Sequence, residues 1–239
     1  GFSGAVLAMA AALGLVWIAS LVLLQRDLGK AKAKPKFTEL LSKSPAINRL
    51  SAARLFLFAA RDVWFVVALP VFLGTQLGWS HWQVGGFLAL WVIGYGIVQS
   101  LAPSITGRPG TPMPDGRSAL RWALPLVAVP VLMAVLLARG IAPAPVVVAG
   151  LALFGVLFAV NSALHSYLIL GYAREDGVSL DVGFYYMANA MGRLLGTVLS
   201  GWVFQRWGLA ACLAISAALI AVAAAVSVAL PRSTIHVRG

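Results

Sequence analysis

What most constrains this chain is a succession of long stretches that carry almost no charge. Each is about 20 residues, enough to cross a hydrocarbon core of roughly 30 Å at a helical rise of 1.5 Å per residue. Seven such spans are read from the sequence: Ala5 to Leu24, Ala52 to Leu73, Gln83 to Leu101, Ala119 to Ala138, Pro145 to Leu170, Val182 to Phe204 and Leu209 to Leu230. Hydrophobic residues make up 61% of the 239 positions and charged residues 10%. A soluble domain runs at about 45–50% apolar and about 25% charged, so a water-soluble fold would have no way to hide this much apolar surface. The expected fold class is an all-α integral membrane bundle.

The formal charge of +11 does not indicate a nucleic-acid binder. Its basic residues lie mostly in loops and its aromatics in apolar spans, without the interleaving that a nucleic-acid surface requires. The lone Cys212 falls in the last span, where it reads as a small buried hydrophobe and supplies neither an intrachain disulfide nor a Cys/His metal cluster. No cofactor and no metal are expected.

Turn formers punctuate the connections, as in Gly74 to Ser80, Arg108 to Gly116 and Gly140 to Pro145. Trp79, Trp82, Trp122 and Trp207 fall near span ends, where amphipathic rings favour the membrane interface. Arg26, Lys30, Lys32, Lys34, Lys36, Lys43, Arg49, Arg108, Arg117, Arg174, Arg232 and Arg238 lie on one side of the spans, and Arg139 and Arg206 on the other. Short basic loops stay in the cytoplasm, so this asymmetry predicts a cytoplasmic C-terminus and an N-terminus outside.

Gly1 leads directly into a span, without the charged segment or cleavage site of a signal peptide. The expectation is therefore a C-terminal fragment of a two-repeat transporter. In that division, residues 1–24 are the last helix of a missing N-terminal half, 25–48 a basic cytoplasmic central loop, 49–232 a six-helix repeat, and 233–239 a cytoplasmic tail.

Four arginines remain in helical context. Arg54 and Arg121 lie within a turn of the cytoplasmic boundary, where long side chains snorkel to water. Arg61 and Arg193 sit deeper, roughly 13 and 16 Å from that boundary by helical rise, and at similar depth. A charge near the bilayer centre costs at least about 2.5 kcal/mol, and such residues usually face the bundle interior or a watery pathway. Two cations at one depth call for an anion between them, and guanidinium matches carboxylate, phosphate or arsenate bidentately. The competing reading is a structural ion pair with Asp62. That residue points about 100° away from Arg61 on its own helix, and so would pair across helices, with Arg193.

Tyr185, Asn189 and Arg193 recur at i, i+4 and i+8 and share one face, beside a small-residue ridge of Gly192, Gly196 and Ser200 suited to close helix packing. Tyr95 and Gln99, and likewise Asn161 and His165, repeat the i, i+4 relation, either lining a cavity or bonding between helices. Asp62 and His165 are the candidate proton carriers, His165 through an ordinary pKa near 6.5.

Four segments carry a family resemblance: residues 51–70 (SAARLFLFAARDVWFVVALP), 84–103 (VGGFLALWVIGYGIVQSLAP), 28–37 (LGKAKAKPKF) and 185–196 (YYMANAMGRLLG). The chain resembles the ArsJ-type organoarsenical efflux permeases of the major facilitator superfamily over essentially its whole length, as helices six to twelve of a twelve-helix permease. The resemblance implies a major-facilitator bundle in the inner membrane, in which this chain contributes seven helices and a missing N-terminal half supplies the rest of the site. It implies export of 1-arseno-3-phosphoglycerate for arsenate resistance, with a functional link to a glyceraldehyde-3-phosphate dehydrogenase that makes this product. Such an anion suits the site read above from depth and helical face, in which Arg61, Arg193, Asn189, Tyr185, Tyr95 and Gln99 are the candidate substrate contacts. Residues 107–117 depart from the superfamily's Gly, Asp, Gly, Arg loop signature by extra prolines.

A membrane enzyme is disfavoured, because the sequence has no Gly-x-Ser-x-Gly elbow, no His-Glu-x-x-His motif and no intramembrane carboxylate pair. A non-transporting membrane sensor or scaffold stays as an alternative, since a truncated permease could survive as one; a soluble signalling domain would favour it, and the sequence shows none. Another anion, such as a sugar phosphate, organic acid or free oxyanion, is the alternative cargo.

Overall fold

The computed structural model describes residues 2–23, 44–106, 115–173 and 178–231. The basic central loop and the loop departing from the superfamily signature fall largely outside these residues. Every element among the described residues is helical: α1 (Phe2–Leu23), α2 (Pro45–Phe65), α3 (Ala68–Thr75), α4 (His81–Thr106), α5 (Gly116–Ala138), α6 (Pro143–Tyr172) and α7 (Val178–Val228). Six helical segments are long and apolar enough to cross a membrane, with α2 and α3 counting together as one of 31 residues. The chain is a helical membrane protein.

It divides into two compact units, one reaching to Lys36 and the other beginning at Phe37. In the first, α1 is apolar around its whole circumference, the pattern of a helix that meets lipid or another helix on every side. The second unit holds the remaining helices. Large apolar side chains such as Leu90, Ile93, Leu132, Leu194 and Val198 stand exposed on them, which lipid tolerates and water does not.

Helix α2 begins well before the apolar span does. Ser44 takes an extended backbone and its hydroxyl accepts from the Ile47 amide, while Pro45 fills the first turn, where a missing N–H costs nothing. Residues 45–48, expected in the central loop, are therefore helical, and Arg54 stands nine residues, or about 13 Å, inside the helix rather than at its mouth. At the other end Pro70 cannot donate and crowds the carbonyl four residues back, so α2 and α3 part at Val66 and Val67. Ser200 of α7 repairs the break, its Oγ accepting from the amides of Val67 at 3.4 Å and Ala68 at 3.0 Å.

The 51 residues of α7 do not run straight. Gly208 has φ 74° and ψ −173°, a conformation that glycine alone enters freely, and the chain reverses there. Gly196, before the break, packs on Ala59, while Ser216, after it, donates to the Ala60 carbonyl at 2.6 Å. Both arms of α7 thus lie against α2 at one level. The start of α5 is fastened by Asp115, whose carboxylate accepts from the amides of Arg117 and Ser118 in a capping box.

The core gathers where α2, α6 and the C-terminal arm of α7 meet. Trp64 packs edge-on against Phe154 at 5.1 Å, Phe58 against Phe158 at 5.2 Å, and Phe154 stacks on Phe158 at 5.5 Å. Cys212 is buried here, as its sequence context implied. Trp82 and Trp207 are exposed as interface residues would be, whereas Trp122 packs beside Ala102, Val160 and Leu164.

Candidate functional site

Two polar layers are built between α2, α6 and the N-terminal arm of α7, and the small-residue ridge makes both possible. A Cβ added to Gly196 would lie 2.7 Å from the Ala59 carbonyl oxygen and 2.9 Å from Asp62 Cβ, and one on Gly192 would strike the Leu55 carbonyl. Glycine at these places lets the two backbones touch, as small residues do in membrane helix pairs.

In the first layer Arg193 Nε donates to Asp62 Oδ2 at 3.3 Å and Arg61 Nε donates to Asp62 Oδ1 at 2.6 Å. The expected cross-helix pair of Asp62 with Arg193 is present. The expectation that Asp62 turns away from Arg61 is corrected: adjacent Cβ atoms diverge, but the long arginine stem curls back to its neighbour. The rings of Phe58 and Phe158, 4.8 and 5.4 Å from the guanidinium carbon, flank it. The gap between the two arginines, where an anion was expected, holds the Asp62 carboxylate. Asp62 is fully buried, Arg61 nearly so, and the Arg193 side chain is 57% exposed although it sits halfway along its arm.

The second layer centres on a residue that sequence reasoning assigned to the boundary. Arg54 is 5% exposed. Its Nε donates to Asn189 Oδ1 at 3.1 Å, and one terminal nitrogen donates to both the carbonyl and the hydroxyl of Ser162 at 3.0 Å. The guanidinium lies over the Phe58 ring at 4.0 Å and near Tyr185 at 5.0 Å. Among the described residues no carboxylate pairs with it. The Ser44-Pro45 start signal was the clue to this burial, since it moves the helix origin back by two turns.

The remaining predicted residues divide between the layers. Tyr185 and Asn189 share the Arg193 face, as periodicity required, but both attend Arg54. Tyr95 is half-buried, stacked on Trp91 at 5.5 Å and tilted against Phe158 at 6.1 Å, beside the aromatic wall of Arg61. Gln99 is half-buried one turn along and makes no hydrogen bond to either layer among the described residues. His165 is buried one turn from Ser162, its Nδ1 without a hydrogen-bond partner. Asn161 donates to the Ala119 carbonyl at 3.1 Å and so serves as an interhelical tie to α5. Arg121 is exposed, as a boundary residue should be.

A separate cleft of about 20 Å³ lies between the start of α5 and the end of α7, lined by Gly116, Leu120 and Leu230 among others. It has room for about one water, not for a multiply charged anion.

No family model matches the chain, and no curated protein matches it. The fold and site therefore define a class: a helical membrane protein in which Arg54, Arg61, Arg193 and Asp62 form two adjacent polar layers among the described residues, with a second buried carboxylate, Asp181, nearer the start of the same arm of α7.

Proposed function

We propose that the chain is part of a secondary active permease of the major facilitator type that exports an organic anion. In this reading α7 crosses the membrane twice, giving seven crossings in the inner membrane with the C-terminus cytoplasmic. The cargo is 1-arseno-3-phosphoglycerate, moved by alternating access and driven by protons, and the dehydrogenase that makes this product is the functional partner. The observation that carries the reading is the cationic excess of the two layers, together with the exposure of Arg193 at mid-span. A charge kept at that depth at a cost of at least about 2.5 kcal/mol needs a function, and anion recognition supplies one.

Asp62 occupies the place a substrate oxyanion would take between Arg61 and Arg193, so loading exchanges one carboxylate for another anion. Protonation of Asp62 would release both arginines, which is the natural point for coupling to protons. Guanidinium does not distinguish phosphate from arsenate by geometry, so the second reading, export of a sugar phosphate, organic acid or free oxyanion, shares the same residues.

The test is to express the gene in its own reading frame in an arsenic-sensitive host, with and without the dehydrogenase, and to follow cell-associated arsenic after arsenate exposure. Arsenic that falls only when both genes are present is expected. A fall with the permease alone would transfer the assignment to free oxyanion, and no fall in either strain would remove arsenic from the reading.

A further inference from the structure

The end of the N-terminal arm of α7 gathers unused hydrogen-bond donors on the surface of the second unit. Val203 and Leu209 are buried and pin the segment from behind, while the positive φ of Gly208 turns the chain between the arms. What is left faces outward: Trp202 is 50% exposed and Trp207 58%, their rings T-shaped at 5.4 Å. The Arg206 guanidinium carbon lies 4.9 Å from the centre of the Trp202 ring, so a cation is held against an indole at an exposed position. Among the described residues neither the two indole N–H groups nor this guanidinium has a hydrogen-bond or ion-pair partner.

Depth decides what these donors meet. Arg193 lies roughly 16 Å from the cytoplasmic boundary, and helical rise carries Trp202 roughly 13 Å and Arg206 roughly 20 Å beyond it. That sets the indole at the far edge of a hydrocarbon core of roughly 30 Å and the guanidinium just past it, level with the lipid phosphates. Deeper on the same arm Leu194, Leu195 and Val198 are exposed, a surface suited to acyl chains. A second cation stands at the same level. Gly116 packs on Leu230 at the cytoplasmic ends of α5 and the C-terminal arm of α7. From that contact Arg139 lies roughly 35 Å and Leu209 roughly 32 Å along the two helices. The connections on this side, 76–80, 139–142 and 205–208, carry both arginines and no acidic residue, so none of them offers a counter-charge.

We infer that Arg206, Trp202 and Trp207, with Arg139 at the same level, form a headgroup site for an anionic phospholipid in the leaflet opposite the C-terminus. The phosphodiester accepts from the guanidinium fork and from an indole N–H, and the acyl chains run along Leu194, Leu195 and Val198. A zwitterionic lipid brings its own ammonium to the two arginines, whereas phosphatidylglycerol does not, so the anionic class is selected. The site rests on the membrane class and on helix geometry, and is independent of the cargo.

The experiment places the full chain in nanodiscs of dioleoyl phosphatidylcholine doped with phosphatidylglycerol that carries a diazirine in its headgroup, and maps the crosslinked peptides after photolysis. Crosslinks to residues 198–209 are expected, competed by unlabelled dioleoyl phosphatidylglycerol and not by more phosphatidylcholine or by inorganic phosphate. Arg206→Gln should lower their yield about fivefold, the effect of one arginine at an anionic lipid surface, while crosslinks to the basic residues 26–43 stay unchanged as the internal control. Trp202→Leu keeps apolar bulk but loses the ring and its N–H, and should lower the yield by a smaller factor. Both side chains are exposed, so neither variant opens the core. No crosslink in this segment, a yield unchanged in Arg206→Gln, or equal competition by phosphatidylcholine overturns the site. Competition by inorganic phosphate overturns the lipid as its occupant. All of these leave the permease reading untouched.

Discussion

At the residue scale, Asp62 and Arg193 make one ion pair but have unequal roles. Asp62 is wholly enclosed and holds two cations, so replacing it leaves two guanidiniums facing each other in a low-dielectric interior. Breaking a buried pair in this way costs about 3–5 kcal/mol. Asp62→Asn is expected to lower the melting temperature of the purified protein clearly, and to lower its abundance in the membrane. Arg193 is largely exposed, so its loss strands only a carboxylate that Arg61 still holds. Arg193→Gln should therefore abolish export while membrane abundance stays near normal, as read by transport in vesicles beside an immunoblot. Normal export in that variant would take Arg193 out of the site. Arg61, stacked on Phe58 and Phe158, falls between the two, with export lost and stability moderately reduced.

At the scale of elements, the contact of α2 with the N-terminal arm of α7 depends on two glycines and a serine. Gly192 and Gly196 have backbone, not flexible side chain, where a Cβ would go, so relief requires the helices to separate. Gly192→Ala is expected to destabilise the protein by about 1–3 kcal/mol, the usual cost of overpacking, and to weaken the Arg193 to Asp62 contact with it. Thermal unfolding in detergent reads the first effect and transport the second. The periodicity that put Gly192, Gly196 and Ser200 on one ridge is local and legible in the sequence. That Ser200 would meet the break left by Pro70 was not, because the register between two helices is a property of their packing. Ser200→Ala should cost about 1–3 kcal/mol by leaving the Ala68 amide without its acceptor.

At the scale of the whole molecule, the exposed apolar surface of the second unit is suited to lipid, and the proposed topology puts the α4–α5 connection on the cytoplasmic side. With Cys212 replaced by alanine, a cysteine at His81 should react with an impermeant maleimide in intact cells, and one at Arg117 only after permeabilisation. The reverse pattern would invert the topology and place Arg54 nearer the outer face.

The sequence by itself determined the class, an all-helical chain of long apolar segments, because hydropathy and charge are properties of composition over about 20 residues and need no knowledge of neighbours. It also offered the pairing of Asp62 with Arg193, as the alternative to an anion held between the two arginines, and the structure has that pair. Only the tertiary structure decided that Asp62 also holds Arg61 and that the two arms of α7, read in the sequence as the separate spans Val182 to Phe204 and Leu209 to Leu230, both press on α2 at one level. It alone placed Arg54 among α2, α6 and α7 instead of at the lipid headgroups. The physical reason is the same in each case. A side chain's position along a helix is set by its sequence number, but what surrounds it depends on which helices pack there and on where the helix truly begins.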